Sequence, residues 1–210
     1  EFSQLCPISA TETTATMIGL HGDDALKEKL FDRLVSLDKD EILKGAQFMT
    51  ERTGGSDVSN INLEARFEDG QWRLYGEKWF CSCADGDVAM LLARPKGAPE
   101  GNNGIALFAM PRTLDNGKRN KYRIIRLKEK LGSRSMASGE IVFDGAVAYA
   151  LGEVGTGKNR GLKMMMDQVA LSRLSHGARA AAMMRRALNE AMEVAHNRSA
   201  FEEIIINKPL

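Results

Sequence analysis

From Asp23 onward the apolar positions fall on one side of a helix: Leu26, Leu30, Leu34 and Leu37 are spaced four, four and three residues apart behind Asp23 and Asp24. That period lines one helix face, and acids at its start complement the positive end of the helix dipole. The spacing predicts a helix ending near Asp38. Residues 1–22 are rich in Ser, Thr and Gly with few charges, and read as loop or a broken helix.

Between about 48 and 149 the period changes to two. Ile61, Leu63, Ala65 and Phe67 alternate with Asn62, Glu64 and Arg66, and Asp69-Gly70 then supplies a turn before Trp72, Leu74 and Gly76. Alternation around an Asp-Gly pair predicts a β-hairpin. Further strands are expected at Val88 to Ala93, Ile105 to Met110, Tyr122 to Lys128 and Gly139 to Phe143, with Gly, Pro and Asn between them. Short strands without intervening helices favour an antiparallel sandwich or barrel. After Gly161 the chain turns helical for about 37 residues without a Pro, and Leu162, Met166, Val169, Met184, Leu188, Met192 and Ala195 fit one apolar face. One helix cannot bury such a face alone, so other helices must complete it.

Composition narrows the function classes. Lys plus Arg number 29 against 28 Asp plus Glu, so no global charge draws the chain to nucleic acid or an anionic membrane. No apolar stretch approaches the roughly 20 residues of a membrane-spanning helix. The expected location is cytoplasmic, or mitochondrial in a eukaryotic host. Cys6, Cys81 and Cys83 are too few for a disulfide framework, and with three scattered histidines they match no zinc spacing, so no metal is expected. The chain lacks an initiating Met and reads as a piece of a longer protein.

One stretch, ALGEVGTGKNRG at 150–161, nearly matches a phosphate-binding loop through Gly152, Gly157 and Lys158, but Asn159 stands where a magnesium-binding Ser or Thr belongs. Such loops also require a parallel α/β sheet, which the preceding residues do not predict. The stretch therefore reads as a Gly-rich joint between a β domain and a helical domain, with Lys158 a solvated charge at a helix start.

Three other stretches carry more: FMTERTGGSDVS at 48–59, GEKWFCSCADGD at 76–87 and KLGSRSMASGEIVF at 130–143. Met49, Thr50, Glu51, Gly54, Gly55, Ser56 and Asp57, then Lys78-Trp79, then Leu131, Gly132, Arg134 and Ser135 or Ser138 follow in order the motifs of the acyl-CoA dehydrogenase family of flavoenzymes, which this chain resembles over about residues 40–210. Leu151, Gly152, Gly155 and Gly157 fit the family's interdomain joint. Ala195, Arg198 and Phe201 fit the segment that closes the first helix of its C-terminal bundle, with Glu202 where the family has Gly. Within the family, KWF, SRSMAS and AAMMRRAL are most similar to the adaptive-response (alkylation-response) branch.

The resemblance implies an α+β fold with an antiparallel β sandwich or barrel as middle domain, flanked by α-helical segments. Residues 1–46 would end an N-terminal helical domain, 47–152 form the flavin-binding β domain, and 153–210 begin a C-terminal helical domain. It implies FAD, with Gln47, Met49 and Thr50 at the ring edge, where a hydroxyl and backbone N–H groups are useful donors. Gly55 and Ser56 would take the pyrophosphate, since glycines let backbone approach closely. Trp79 and Phe80 would supply aromatic surface, with either Cys81 or Ser82 placing a polar group near N5. Arg198 and Phe201 would reach the dinucleotide of a neighbouring subunit in a homo-oligomer, a dimer or tetramer.

Family chemistry removes an α proton with a Glu base while hydride passes from the β carbon of an acyl-CoA to flavin N5. Ser56 and Arg173 are the expected substrate contacts. Ser172 precedes Arg173 where some relatives carry the base, so no catalytic residue is expected here and the Glu would lie beyond Leu210. Ala170 replaces an Asp that helps some relatives hold substrate. A different class stays open, a flavin-containing, DNA-associated protein with little turnover, in which Arg173, Arg179, Arg185 and Arg186 offer positive charge. A third is a structural or regulatory descendant that keeps the fold alone.

Overall fold

The computed structural model describes residues 2–155, 157 and 159–209. They form two compact units, Glu1–Ala170 and Leu171–Leu210. The first opens on a continuous helix, α1 (Leu5–His21), where the sequence suggested loop or a broken helix. Two of its threonines bond back to the helix: the Thr11 and Thr16 hydroxyls donate to the carbonyls of Pro7 and Glu12, one turn back, at 2.8 and 2.9 Å. Thr13, Thr14, Met17 and Ile18 are buried, and that burial overrides the weak helix propensity of Thr.

The next helical stretch is shorter and less regular than the leucine spacing predicts. α2 (Asp24–Leu26) runs through a π-helical turn (Lys27–Phe31) into α3 (Asp32–Leu34). Asp23 caps it by accepting the Leu26 N–H at 2.8 Å. Leu26, Leu30 and Leu34 are buried as expected, but the helix stops at Val35 and Leu37 is fully exposed.

Seven strands follow: β1 (Gly45–Phe48), β2 (Glu64–Glu68), β3 (Gln71–Ser82), β4 (Val88–Pro95), β5 (Ala106–Pro111), β6 (Tyr122–Leu127) and β7 (Ser138–Leu151). Pairings of β1 with β3, β3 with β7, β7 with β5, β5 with β4 and β4 with β1 close a ring, so the sheet is a barrel flanked by helices, in the α+β class the sequence predicted. The β2–β3 hairpin turns at Asp69-Gly70, with positive φ of 51° and 74° at the two central residues as a tight hairpin requires. Two pairings depart from the antiparallel expectation: β4 runs parallel to β1 and to β2. β1 is too short to show a period of its own, and strand direction is set by partners distant in sequence.

β4 is apolar from Val88 to Ala93 because both its faces are covered there. Ala89, Leu91 and Ala93 face the barrel interior with Phe48, Leu74 and Phe108, whereas Val88, Met90 and Leu92 join Met17, Ile18 and Met165 in a cluster that includes the helices. The interior is rich in Ala, small enough to fill a narrow closed barrel.

Leu151 ends β7, and the joint that follows places Gly152, Gly155 and Gly157 at φ of 67°, 98° and 67°, a region that glycine alone enters freely. Asn159, the residue that spoils the phosphate-loop match, is buried: its Oδ1 accepts the Gly155 N–H at 3.1 Å and its own N–H donates to the Asn103 carbonyl at 3.1 Å. Lys158 lies outside the described residues.

α4 (Gly161–Asn197) has the length the sequence predicted, but a different stripe is packed in the first unit. Gly161, Met164, Met165 and Gln168 are buried, while Leu162 and Val169 are half-buried and Met166 is exposed. Three consecutive methionines make both registers equally apolar, so only the packed neighbours choose. In the second unit Met184, Leu188 and Met192 are exposed at 67%, 61% and 40%, and the unit ends in a small hairpin, β8 (Ser199–Ala200) and β9 (Glu203–Ile204).

Candidate functional site

Residues 49–57 connect β1 to the hairpin and are built around a turn. Glu51 N–H donates to the Gly54 carbonyl at 3.3 Å and Gly54 N–H returns the bond at 3.0 Å. Gly54 holds φ 129° with open space where a side chain would stand. Gly55 is needed for the opposite reason: a Cβ there would come within 2.9 Å of the Thr50 hydroxyl. Gly54, Gly55 and Ser56 are exposed, leaving a bare backbone cradle at the surface.

A buried ion pair pins this loop to β3. Lys78 Nζ lies 2.8 Å from Glu51 Oε1 and donates to the Met49 carbonyl at 3.2 Å; the two side chains are 0% and 4% exposed. The Glu51 carboxylate also accepts the N–H groups of Asn62 and Leu63 at 2.6 and 3.1 Å. Burial pulls the Lys78 ammonium below the ordinary lysine value, and the Glu51 charge opposes that pull. One strand position on, Trp79 N–H donates to the Thr50 carbonyl at 2.8 Å, so Thr50 and Trp79 are fixed side by side.

The ladder between β3 and β7 then skips: Lys78 faces Ile141 and Cys81 faces Gly139, so Trp79 and Phe80 together oppose Glu140. Such a bulge re-aims side chains. Both rings turn toward one cation, with Lys128 Nζ 3.3 Å from the Trp79 centroid and 4.5 Å from that of Phe80. Arg52 also lies over Trp79, at 4.2 Å. Glu140 gathers these cations, bonding Lys128 at 2.5 Å and Arg126 at 2.7 Å, with Arg52 at 3.9 Å. Burial opposes ionisation of Glu140, but the hydrogen bonds and charges of Lys128 and Arg126 outweigh it and hold the carboxyl below its usual range.

Beyond the bulge the strand regains its alternation and separates the predicted residues. Cys81 points into the barrel, fully buried, its thiol pushed up to about 12 by burial, so it offers no polar group to a ligand. Ser82 stands on the other face, half-buried, directly opposite Gln47 of β1. Gln47 in turn donates to the sulfurs of Met49 and Met165 at 3.3 and 3.2 Å. Cations cover the Trp79 ring, and Phe80, 52% exposed, supplies the open aromatic surface. The first unit thus brings together Gln47, Met49, Thr50, Gly55, Ser56, Phe80 and Ser82. Arg173, Arg198 and Phe201 belong to the second unit. Arg173 is exposed there. Phe201 is 92% exposed at the hairpin tip, where Phe201 and Glu202 both hold positive φ, 53° and 63°.

Lys78, Arg52, Lys128 and Glu140 have structural roles here that the motif match did not provide. One was legible: Lys78 shares the inward phase of Leu74, and an inward lysine demands a carboxylate. The cations over Trp79 come from a distant loop and from the end of β6, so local sequence carries no sign of them.

The donor set suits a flavin. It offers an open aromatic, hydroxyls at Thr50 and Ser82, and an exposed glycine cradle for phosphate. Residues 46–146 match the acyl-CoA dehydrogenase middle domain and residues 159–210 its C-terminal domain. With this barrel and these motifs, the chain belongs to the acyl-CoA dehydrogenase family, a family of oxidoreductases that is typically FAD-dependent. It is 37% identical across its whole length to the putative acyl-CoA dehydrogenase AidB of Escherichia coli, covering 39% of that protein. Among solved structures, ACDH-11 of Caenorhabditis elegans in complex with C11-CoA shares 31% identity at a TM-score of 0.87, over 98% of this chain and 35% of that one. The Bd2924 apo-form shares 34% identity at 0.87, over 97% and 41%. The chain therefore spans well under half of these relatives. Among the described residues no helix is long and apolar enough to cross a membrane, and no cluster of His, Cys, Asp or Glu has the makings of a metal site.

Proposed function

We propose that this chain is the flavin-cradling part of an FAD-dependent enzyme that dehydrogenates an acyl-CoA thioester between its α and β carbons. The observation that carries the reading is one face of the barrel, where the bulge sets Phe80 and Ser82 beside Gln47 and Met49, next to the exposed Gly54-Gly55-Ser56 turn. Bound there, the flavin would supply the hydride acceptor. The protein's part is to hold the ring edge with Thr50 and Ser82, cover it with Phe80, and give the pyrophosphate the backbone and hydroxyl of Ser56. The relative solved with C11-CoA supports an acyl-CoA as substrate.

In this reading residues 47–152 are the cofactor domain and α4 begins the helical domain that completes the site. The base that removes the α proton belongs to the parent protein outside these residues. Arg173 would meet substrate, and Arg198 and Phe201 a neighbouring subunit's cofactor, in a homo-oligomer. The DNA-associated alternative draws less from the second unit, because Arg186 already shares its charge with Glu190 at 2.7 Å.

Titration with FAD tests the site in the parent protein. Ser56→Ala is expected to weaken binding about tenfold, the scale of one charge-assisted hydrogen bond. Lys158→Ala is expected to leave it unchanged. Equal, tight binding by all three proteins overturns the assignment. Flavin absorbance that bleaches on adding acyl-CoA supports the dehydrogenase; duplex DNA binding that falls steeply with salt, without bleaching, supports the alternative.

A further inference from the structure

The three cysteines occupy different environments. Cys81 is sealed inside the barrel. Cys83, two residues on, makes a side-chain hydrogen bond with Cys6. Cys6 lies in the first turn of α1, half-buried and packed against the same interior cluster as Cys83. Cys83 itself is 4% exposed and holds a left-handed φ of 56°, a conformation that residues with side chains seldom adopt. A cavity of about 150 Å³, lined by Gln4, Pro7, Lys44, Cys83, Ser135 and Met136 among others, reaches Cys83 between the residues that flank Cys6 on α1. Two hydrogen-bonded thiols, one of them lining a cavity with room for a small oxidant, form a site for such a molecule.

We infer that Cys6 and Cys83 are a peroxide-responsive dithiol that closes to a disulfide joining α1 to the end of β3. The contact with Cys6 and burial both push the Cys83 thiol up, so Cys83 retains its proton. The attacking sulfur is then Cys6, the less buried of the two, in the first turn of α1. Its thiolate attacks hydrogen peroxide: an S–O bond forms, the O–O bond breaks, hydroxide leaves, and the sulfur is oxidised to a sulfenic acid as the peroxide is reduced. The Cys83 sulfur then attacks the sulfenic sulfur: the S–S bond forms, the S–O bond breaks, and the Cys83 proton leaves with the hydroxyl as water. Two thiols and one peroxide become one disulfide and two waters. Because Ser82 adjoins Cys83, the closed bond ties the cofactor-facing end of β3 to α1.

The test needs no flavin, so it stands or falls apart from the dehydrogenase reading. The chain is treated with equimolar hydrogen peroxide, quenched by alkylation and digested without reductant. The expected product is an intrachain peptide linking Cys6 to Cys83, lighter by two hydrogens, reversed by dithiothreitol, with Cys81 alkylatable on unfolding. Cys6→Ser is expected to abolish the linkage and Cys81→Ser to leave it. The absence of a linked peptide in the unsubstituted chain overturns the inference. So does linkage through Cys81 or between chains, or oxidation of Cys6 to the sulfinic acid without a partner.

Discussion

Glu51 and Glu140 flank the bulge at Trp79 and Phe80, and each holds a lysine, yet the two knots are built differently. Around Glu51 everything is dry: among the described residues Lys78 is its one cation, and its remaining capacity goes to backbone N–H groups. Glu140 is itself buried, but Arg126 and Arg52 reach it from solvent, with side chains 63% and 58% exposed. The dry knot fixes backbone, because neither ion has water to fall back on. The wet knot sets a cationic cover over Trp79 and can exchange partners. The rigid knot anchors the loop that carries Thr50 and Ser56, and the adaptable one adjoins the open aromatic Phe80.

The largest expected effect comes from breaking the dry knot on one side. Glu51→Gln strands Lys78 and should cost about 3–5 kcal/mol, read by denaturant unfolding. Replacing both partners, Glu51→Leu with Lys78→Met, should cost distinctly less than the single change. If the single and double variants lose equal stability, the pin is a matter of shape and not of charge.

Next comes the division of labour along β3. Ser82→Ala should weaken FAD binding about tenfold with little loss of stability, as expected for one lost polar contact. Cys81→Ala should leave FAD binding alone and destabilise the fold by about 1 kcal/mol through the void left by the sulfur. Titration and unfolding of both variants sharpen the contrast, and a reversed pattern breaks it.

Glu140 should reveal itself through pH. Its folded value lies below the ordinary 4.5, so the unfolded chain binds the proton more readily. Its contribution is therefore fully present above about 4.5 and is lost as pH falls through the lower folded value. Glu140→Gln should flatten that acid limb of the stability curve and leave the neutral stability less affected than Glu51→Gln does. The smallest effect belongs to the second unit. Glu202→Gly should relieve the left-handed backbone at φ 63° and stabilise the hairpin by about 1 kcal/mol. Slower hydrogen exchange at the Ile205 N–H, bonded to the Arg198 carbonyl at 3.0 Å, would report it.

Much of the fold was legible where a local rule operates alone. The Asp69-Gly70 hairpin, the apolar run of β4 and the 37-residue helix follow from turn chemistry and periodicity. α1 was not legible, because its Thr-rich stretch becomes helical only by burying Thr13 and Thr14 against neighbours. The packed stripe of α4 was hidden by Met164-Met165-Met166, equally apolar in every register. In the site, ordered motifs located the loop at 49–57 and the strand at 78–82, but left Cys81 and Ser82 undecided. Register separates the two side chains, setting Ser82 opposite Gln47 and Cys81 opposite Phe48.

By itself the sequence determined the family, the order of β and helical regions and the short list of cofactor-binding candidates, because these depend on residue identity at fixed short spacings. The tertiary structure alone decided which of those side chains share a face, that Lys78 and Glu51 meet in the dry, that three cations gather at Trp79, and that Cys6 touches Cys83. Each is a contact between residues distant in the chain, fixed by strand register, a bulge or a helix docking on a sheet, and no local pattern encodes it.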